Sequence, residues 1–297
     1  MRALITGANG FVGGWLAAHL LEQGDQVTGV DREVEIADVG AMAAVVADAA
    51  PDVIYHLAAL AHVGDSWADP SEVLRVNVLG TASVLAGARR LDAPPLVLVV
   101  SSAEVYGAVE PGQLPIDETA PVAPATPYAA SKAAAEQVAL QAWRGFGQPV
   151  VLVRPFNHIG PGQAPNFAVS ALARRIVEAE RSGARQLTVG TMTTRRDFTD
   201  VRDVVRAYRL LAAHPTPGQV YNVCSGRDVA ISDVAAHLMA LAGVELELVA
   251  DPELVRPVDV PVLRGDPSRL ERATGWSPQL DLDTTLADVL EGWRQAG

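Results

Sequence analysis

The chain opens on a strand that runs straight into three glycines, Gly7-Ala8-Asn9-Gly10-Phe11-Val12-Gly13, and then into a helix. Leu4–Thr6 has the apolar run of a strand, and Gly10–Gln23 reads as a helix with Phe11, Trp15, Ala18 and Leu21 on one face. Glycines spaced in this way allow a tight turn. They also let backbone N–H groups and the positive end of the helix dipole approach an anion. A strand before the turn and a helix after it make it a candidate dinucleotide cradle, with Gly7, Asn9, Gly10, Phe11, Val12 and Gly13 as expected contacts. Asp31 ends the next strand, Gln26–Asp31, and can accept hydrogen bonds from an adenosine ribose, which favours NAD. Arg32 follows at once and suits a 2′-phosphate, which favours NADP. These signals oppose each other, so the expected cofactor is NADPH or NADH. Asp38 and Val39 fall where an adenine would lie, although Asp38 suits a helix cap equally well.

Further strands are expected at Asp52–Leu57, Leu96–Ser101 and Pro149–Arg154, with helices at Val39–Ala50, Ser71–Leu91 and Pro127–Trp143. Strict strand–helix alternation predicts an α/β fold, a Rossmann-type doubly wound parallel sheet. After Arg154 the pattern changes. Gly160-Pro161-Gly162 interrupts it, helices follow at Ala168–Arg181, within Arg196–Leu211 behind Asp200, at Asp228–Ala242 and at Leu282–Arg294, and Gly218–Cys224 reads as a late strand. The expectation is a dinucleotide-binding domain from residues 1–155 and 192–224, and a smaller C-terminal substrate lobe from 156–191 and 225–297.

A formal charge of −12 argues against a nucleic-acid partner, since phosphate backbones need a basic face. Apolar runs such as Leu96–Val100 are far shorter than the roughly 20 residues of a membrane helix, so no membrane partner is expected. A lone cysteine, Cys224, allows no internal disulfide and reads as a buried small hydrophobe. The six histidines show no metal-ligand spacing, and no metal is expected. A cytoplasmic protein is the simplest reading.

Tyr128-Ala129-Ala130-Ser131-Lys132 puts a phenol and an ammonium one helical turn apart. A nearby ammonium favours phenolate and lowers a phenol pKa from its usual value near 10. The pair can therefore move a proton, and Lys132 can also hold a nicotinamide ribose. Ser101-Ser102, at the end of the preceding strand, offers a hydroxyl to a substrate oxygen.

These motifs, with His56-Leu57-Ala58-Ala59, Asn77-Val78-x-Gly80-Thr81, Ser101–Gly107 and Arg154-Pro155-Phe156-Asn157, resemble the extended short-chain dehydrogenase/reductase family of NAD-dependent epimerase/dehydratase type. The resemblance implies that Leu57, Ala58 and Ala59 line the cofactor and that Ser102, Tyr128 and Lys132 are catalytic. It places Ser102, Ala103, Glu104, Asn157, Arg196, Arg256 and Asp259 at the substrate, with Arg196 and Arg256 gripping a nucleotide diphosphate. Within the family, Ser101–Gly107, Arg154–Gly162 and Arg195–Asp203 are similar to GDP-4-dehydro-6-deoxy-D-mannose reductases. That implies NAD(P)H-dependent reduction of a nucleotide-sugar C4 ketone, giving GDP-D-rhamnose. Sugar-nucleotide dehydratases remain an alternative, because Glu104 is retained although Ala103 replaces the aspartate of some of them. Epimerising reductases use a cysteine and a histidine where this chain has Glu104 and Phe167. A non-catalytic dinucleotide sensor is a third reading, at odds with the joint presence of Ser102, Tyr128 and Lys132. A homodimer, paired through Ser71–Leu91 and Pro127–Trp143, is expected by analogy with the family.

Overall fold

The computed structural model describes residues 1–251 and 260–296. The first half alternates β1 (Arg2–Thr6), α1 (Phe11–Glu22), β2 (Gln26–Val30), α2 (Val39–Ala49), β3 (Val53–His56), α3 (Pro70–Leu74), α4 (Gly80–Ala88), β4 (Leu96–Val100), α5 (Pro127–Phe146) and β5 (Val150–Pro155). The second half continues with β6 (Asn157–Ile159), α6 (Ala168–Ser182), β7 (Gln186–Val189), β8 (Arg195–Asp200), α7 (Val201–Ala213), β9 (Val220–Val223), β10 (Asp228–Ala230), α8 (Ile231–Ala242), β11 (Glu247–Ala250), β12 (Val262–Leu263), α9 (Ser268–Thr274) and α10 (Leu282–Ala296).

Strands β2-β1-β3-β4-β5-β9 form one sheet in which every neighbouring pair is parallel. Its central strands are nearly unbroken apolar runs, as burial on both faces demands. One face packs Leu16, Leu20, Val204 and Tyr208 of α1 and α7. The other packs Met42, Val46, Leu85 and Ala139 of α2, α4 and α5. From β1 the chain steps outward to β2 and then returns to β3. That reversal opens a crevice at the C-terminal ends of β1 and β3, where ligands of such sheets bind.

A second sheet joins β10, β8 and β12, with β6 also paired to β8. Strands β7 and β11 pair separately. Leu172, Ile176, Val234, Leu238, Leu286 and Leu290 make a core of their own under α6, α8 and α10. Strand β8 lies inside the stretch expected in the dinucleotide domain but hydrogen-bonds only within this second sheet; α7, which follows it, contributes to the core under the main sheet.

Several elements differ from the sequence reading. The single helix expected over Ser71–Leu91 is α3, a π turn at Arg75–Leu79, and α4. Such wide turns mark places where an extra residue has been accommodated. The buried face of α1 is Gly13, Leu16 and Leu20, whereas Leu21 is 60% exposed. The register is dictated by Gly13, whose missing Cβ would stand 2.2 Å from the Gly7 carbonyl oxygen. Asp228–Ala230 extends as β10 before α8 begins. Strands β6, β7 and β11 were not expected. They are three or four residues long, too short to display a period.

Candidate active site

Backbone contacts make the core of the glycine turn. Gly7 has φ +76°, and a Cβ there would press to 2.9 Å from the Ala58 nitrogen. Gly7 and Ala8 donate to the Val30 carbonyl at 2.8 and 3.1 Å, and Gly10 N–H donates to the Gly7 carbonyl at 3.1 Å. Leu57 and Ala58 lie close against Gly7 as the chain leaves β3, with Ala59 next in sequence, and Leu57 N–H donates to the Thr6 carbonyl at 3.1 Å. Phe11 and Val12 begin α1 and are half-buried. These glycines leave a backbone-lined cradle of the kind a pyrophosphate requires, so the residues fit a dinucleotide.

At the adenosine end, Asp31 accepts from Asn9 N–H at 2.8 Å and from Arg32 N–H at 2.9 Å. The carboxylate thus ties the end of β2 to the glycine turn, and Arg32 is exposed beside it. Asp38 is the N-cap of α2, accepting from Gly40 and Ala41 N–H at 2.7 and 3.0 Å, with Val39 40% exposed at the first helical position.

Ser102 and Tyr128 meet in a hydrogen bond, and Lys132 lies one turn further along α5. Ser102 follows the end of β4 and caps the tight turn Ala103–Tyr106, its hydroxyl accepting from Glu104 N–H at 3.2 Å. Thr126 caps α5 by accepting from Ala129 N–H at 3.1 Å, and so fixes where Tyr128 starts its turn. Burial pushes the Tyr128 hydroxyl up to about 12; its hydrogen bond with Ser102 pulls it down, and the Glu104 carboxylate pushes it up. Burial therefore governs the phenol, where the sequence spacing had Lys132 lowering it. Lys132 Nζ donates to the Val100 carbonyl at 2.8 Å. Burial brings this ammonium down to about 8, against the opposite pull of Glu136.

Two buried chains of hydrogen bonds brace this triad. In the first, Thr6 Oγ1 meets His56 Nδ1 at 2.8 Å, His56 Nε2 meets Thr81 Oγ1 at 3.0 Å, and Thr81 donates to the Asn77 carbonyl at 2.7 Å. Asn77 Nδ2 donates to Ser131 Oγ at 2.8 Å, and Ser131 donates to the Tyr128 carbonyl at 2.7 Å. Asn77 Oδ1 also accepts from Leu60 N–H at 2.8 Å. Burial, reinforced by the Lys132 charge, drives His56 down to about 3, so the ring is neutral at physiological pH. The π turn positions Asn77 in this network.

In the second chain, Ser101 donates to Glu136 Oε1, which also accepts from Arg154 Nε at 2.8 Å, and Glu136 Oε2 accepts from Arg154 Nη2 at 2.7 Å. Arg154 donates onward to the Tyr106 hydroxyl at 3.0 Å, and Tyr106 to Asn222 Oδ1 at 2.7 Å. Sequence reasoning passed over Glu136. Its signal was its place one turn beyond Lys132, on the same helical face.

Of the residues expected at the substrate, Ala103 is buried and Glu104 half-buried in the turn after Ser102, and Asn157 opens β6. Arg196 lies buried on β8, donating to the Val260 carbonyl at 2.7 Å. Next to it, Asp197 accepts from Ser225 N–H and Oγ, Gly226 N–H and Gly265 N–H at 2.6 to 3.2 Å, and burial raises it to about 6. Arg256 and Asp259 lie outside the described residues. No group of three His, Cys, Asp or Glu among the described residues could hold a metal, and no described helix is long and apolar enough to cross a membrane.

Residues 3–224 match the model of the NAD dependent epimerase/dehydratase family. The chain belongs to that family. GDP-6-deoxy-D-mannose reductase of Pseudomonas aeruginosa is 37% identical over 295 residues, spanning 98% of this chain and 97% of that protein. The structure of RMD from Pseudomonas aeruginosa complexed with NADPH superposes with TM-score 0.93 at 36% identity, covering all of both chains. GDP-mannose 4,6-dehydratase of Yersinia enterocolitica is 26% identical over 98% of this chain and 93% of its own.

Proposed function

We propose that the chain is an NAD(P)H-dependent 4-ketoreductase that converts GDP-4-dehydro-6-deoxy-D-mannose to GDP-D-rhamnose. The Ser102–Tyr128 hydrogen bond, with Lys132 one turn along the same helix, carries this reading, and the 37% identity with the Pseudomonas reductase supports it. Gly7, Asn9, Gly10, Phe11, Val12 and Gly13 would hold the pyrophosphate, Asp31, Arg32, Asp38 and Val39 the adenosine end, and Leu57, Ala58 and Ala59 the flank. When bound, the dinucleotide supplies a hydride to the sugar C4.

The protein's own residues do the rest. Tyr128, kept protonated by burial, gives its proton to the forming alkoxide oxygen. Ser102 orients the carbonyl through its hydroxyl, and the Lys132 ammonium steadies the phenolate left behind. Glu104 and Asn157 face the sugar, while Arg196, Arg256 and Asp259 serve the nucleotide diphosphate and its surroundings. A cytoplasmic homodimer is part of the proposal. Leu74 and Leu79 are 45% and 54% exposed on the 70–88 stretch, which supports pairing through that face.

The deciding experiment supplies GDP-4-dehydro-6-deoxy-D-mannose with NADPH or NADH and identifies the product sugar by NMR. A rhamnosyl product with loss of reduced cofactor is expected. A dehydratase would regenerate its cofactor each cycle, so turnover without net oxidation sinks the reductase reading.

The pH profile follows from the ammonium. Reductive kcat/KM is expected to fall on the alkaline side with a midpoint near 8, where Lys132 loses its proton. The phenol itself stays protonated well beyond that point. Lys132→Arg should move the limb upward, because a guanidinium stays charged. A limb that stays in place in that variant would remove Lys132 from the role.

A further inference from the structure

The residues of the loop from Gly160 to Phe167 are tied to the main domain at both ends by ring N–H groups. Near its start, Trp15 Nε1 donates to the Pro161 carbonyl at 3.2 Å. Near its finish, His62 Nε2 lies 3.2 Å from the Asn166 carbonyl, and the His62 ring meets Phe167 edge-on at 5.8 Å. A carbonyl only accepts, so Nε2 carries the proton. The other ring nitrogen, Nδ1, faces Asp65, whose N–H is 3.3 Å away and whose carboxylate is 2.9 Å away.

The middle of the loop belongs to the smaller lobe. Gln163 Nε2 donates to the His158 carbonyl at 3.0 Å, and the Gln163 carbonyl accepts from Ser170 at 2.6 Å. Gly160 is held close, since a Cβ there would reach 2.6 Å from Val201 and 3.5 Å from Phe11. Pro161 and Pro165 restrict the backbone between the anchors.

The two anchors have a particular address. Trp15 lies two residues beyond the glycine turn, and His62 three residues beyond Leu57-Ala58-Ala59. Each therefore follows directly on one of the two segments that flank the crevice between β1 and β3. The loop of the small lobe is thus pinned next to both segments.

We infer that Trp15 and His62 are positioning residues that hold residues 160–167 as a strap across the dinucleotide cleft, and that releasing these two hydrogen bonds governs how fast the cofactor leaves. The inference rests on the reductase reading, in which oxidised cofactor has to depart after every turnover. It concerns dissociation and not hydride transfer.

The test is stopped-flow measurement of NADPH release from the full chain, followed by nucleotide fluorescence, with no sugar present. Trp15→Phe and His62→Phe keep ring bulk and delete the donor at opposite ends of the strap. Each should speed NADPH release by about 3- to 10-fold, the scale of one net hydrogen bond. His62→Gln, which restores an N–H donor, should return release toward the original rate. A strap that merely supported the fold would lower thermal stability and leave the release rate alone. Release unchanged in both phenylalanine variants, with the unaltered chain binding NADPH normally, overturns the strap. Failure of the unaltered chain to bind NADPH or NADH overturns the reductase reading itself.

Discussion

Replacing Tyr128 by phenylalanine is expected to reduce turnover by roughly two to four orders of magnitude, the contribution of a positioned general acid. The substitution removes one oxygen and leaves the ring that fills the buried start of α5. The scaffold below it is unaffected, because Ser131 holds the Tyr128 carbonyl and not its side chain. Cofactor affinity, measured by fluorescence titration, should barely change. Single-turnover hydride transfer should carry the whole loss, and steady-state kcat should follow it. Near-normal single-turnover rates in Tyr128→Phe would show that another group donates the proton, and Ser102 would be the next to examine.

The second large effect is on stability. Glu136 is fully buried, and its carboxylate pairs through two hydrogen bonds with the guanidinium of Arg154, which is also buried. Glu136→Gln leaves that cation in the interior with no countercharge, a change that typically costs about 3–5 kcal/mol. Calorimetry should register a fall in Tm on the order of 10 °C. The double variant Glu136→Met with Arg154→Met should recover much of the loss, because it removes both charges together. Glu136→Gln carries a kinetic signature as well. Glu136 holds the Lys132 ammonium up, so its neutralisation should shift the alkaline limb of the rate profile to lower pH. An unchanged melting point would mean that water reaches this pair, contrary to its burial.

The parts of this molecule legible in its sequence are those fixed by local chemistry. The glycine turn could be read because close backbone approach at Gly7 and Gly13 excludes every side chain. The placement of Tyr128 and Lys132 one turn apart on α5 was legible because a four-residue helical spacing fixes it whatever surrounds them. What depends on distant partners was not legible. The face of α1 is chosen by Gly13 against the turn; of the expected apolar face Phe11 and Trp15 pack against the core, whereas Ala18 and Leu21 are exposed. The phenol of Tyr128 is governed by burial, a property of the assembled fold, more than by its sequence neighbour. Glu136 gains its meaning from Arg154 on β5 and from Ser101 just past β4, which sequence order separates. Strands β7 and β11 exist because they pair with each other, and neither is long enough to announce itself.

The widened turn at Arg75–Leu79 constrains how this stretch can change. Deleting one residue there would regularise the rod by removing the wide turn that carries Asn77. The amide of Asn77 would then lose both Leu60 and Ser131. Shortening the widened turn should therefore cost the Asn77 network, and a helix made more perfect by that deletion should be a worse scaffold.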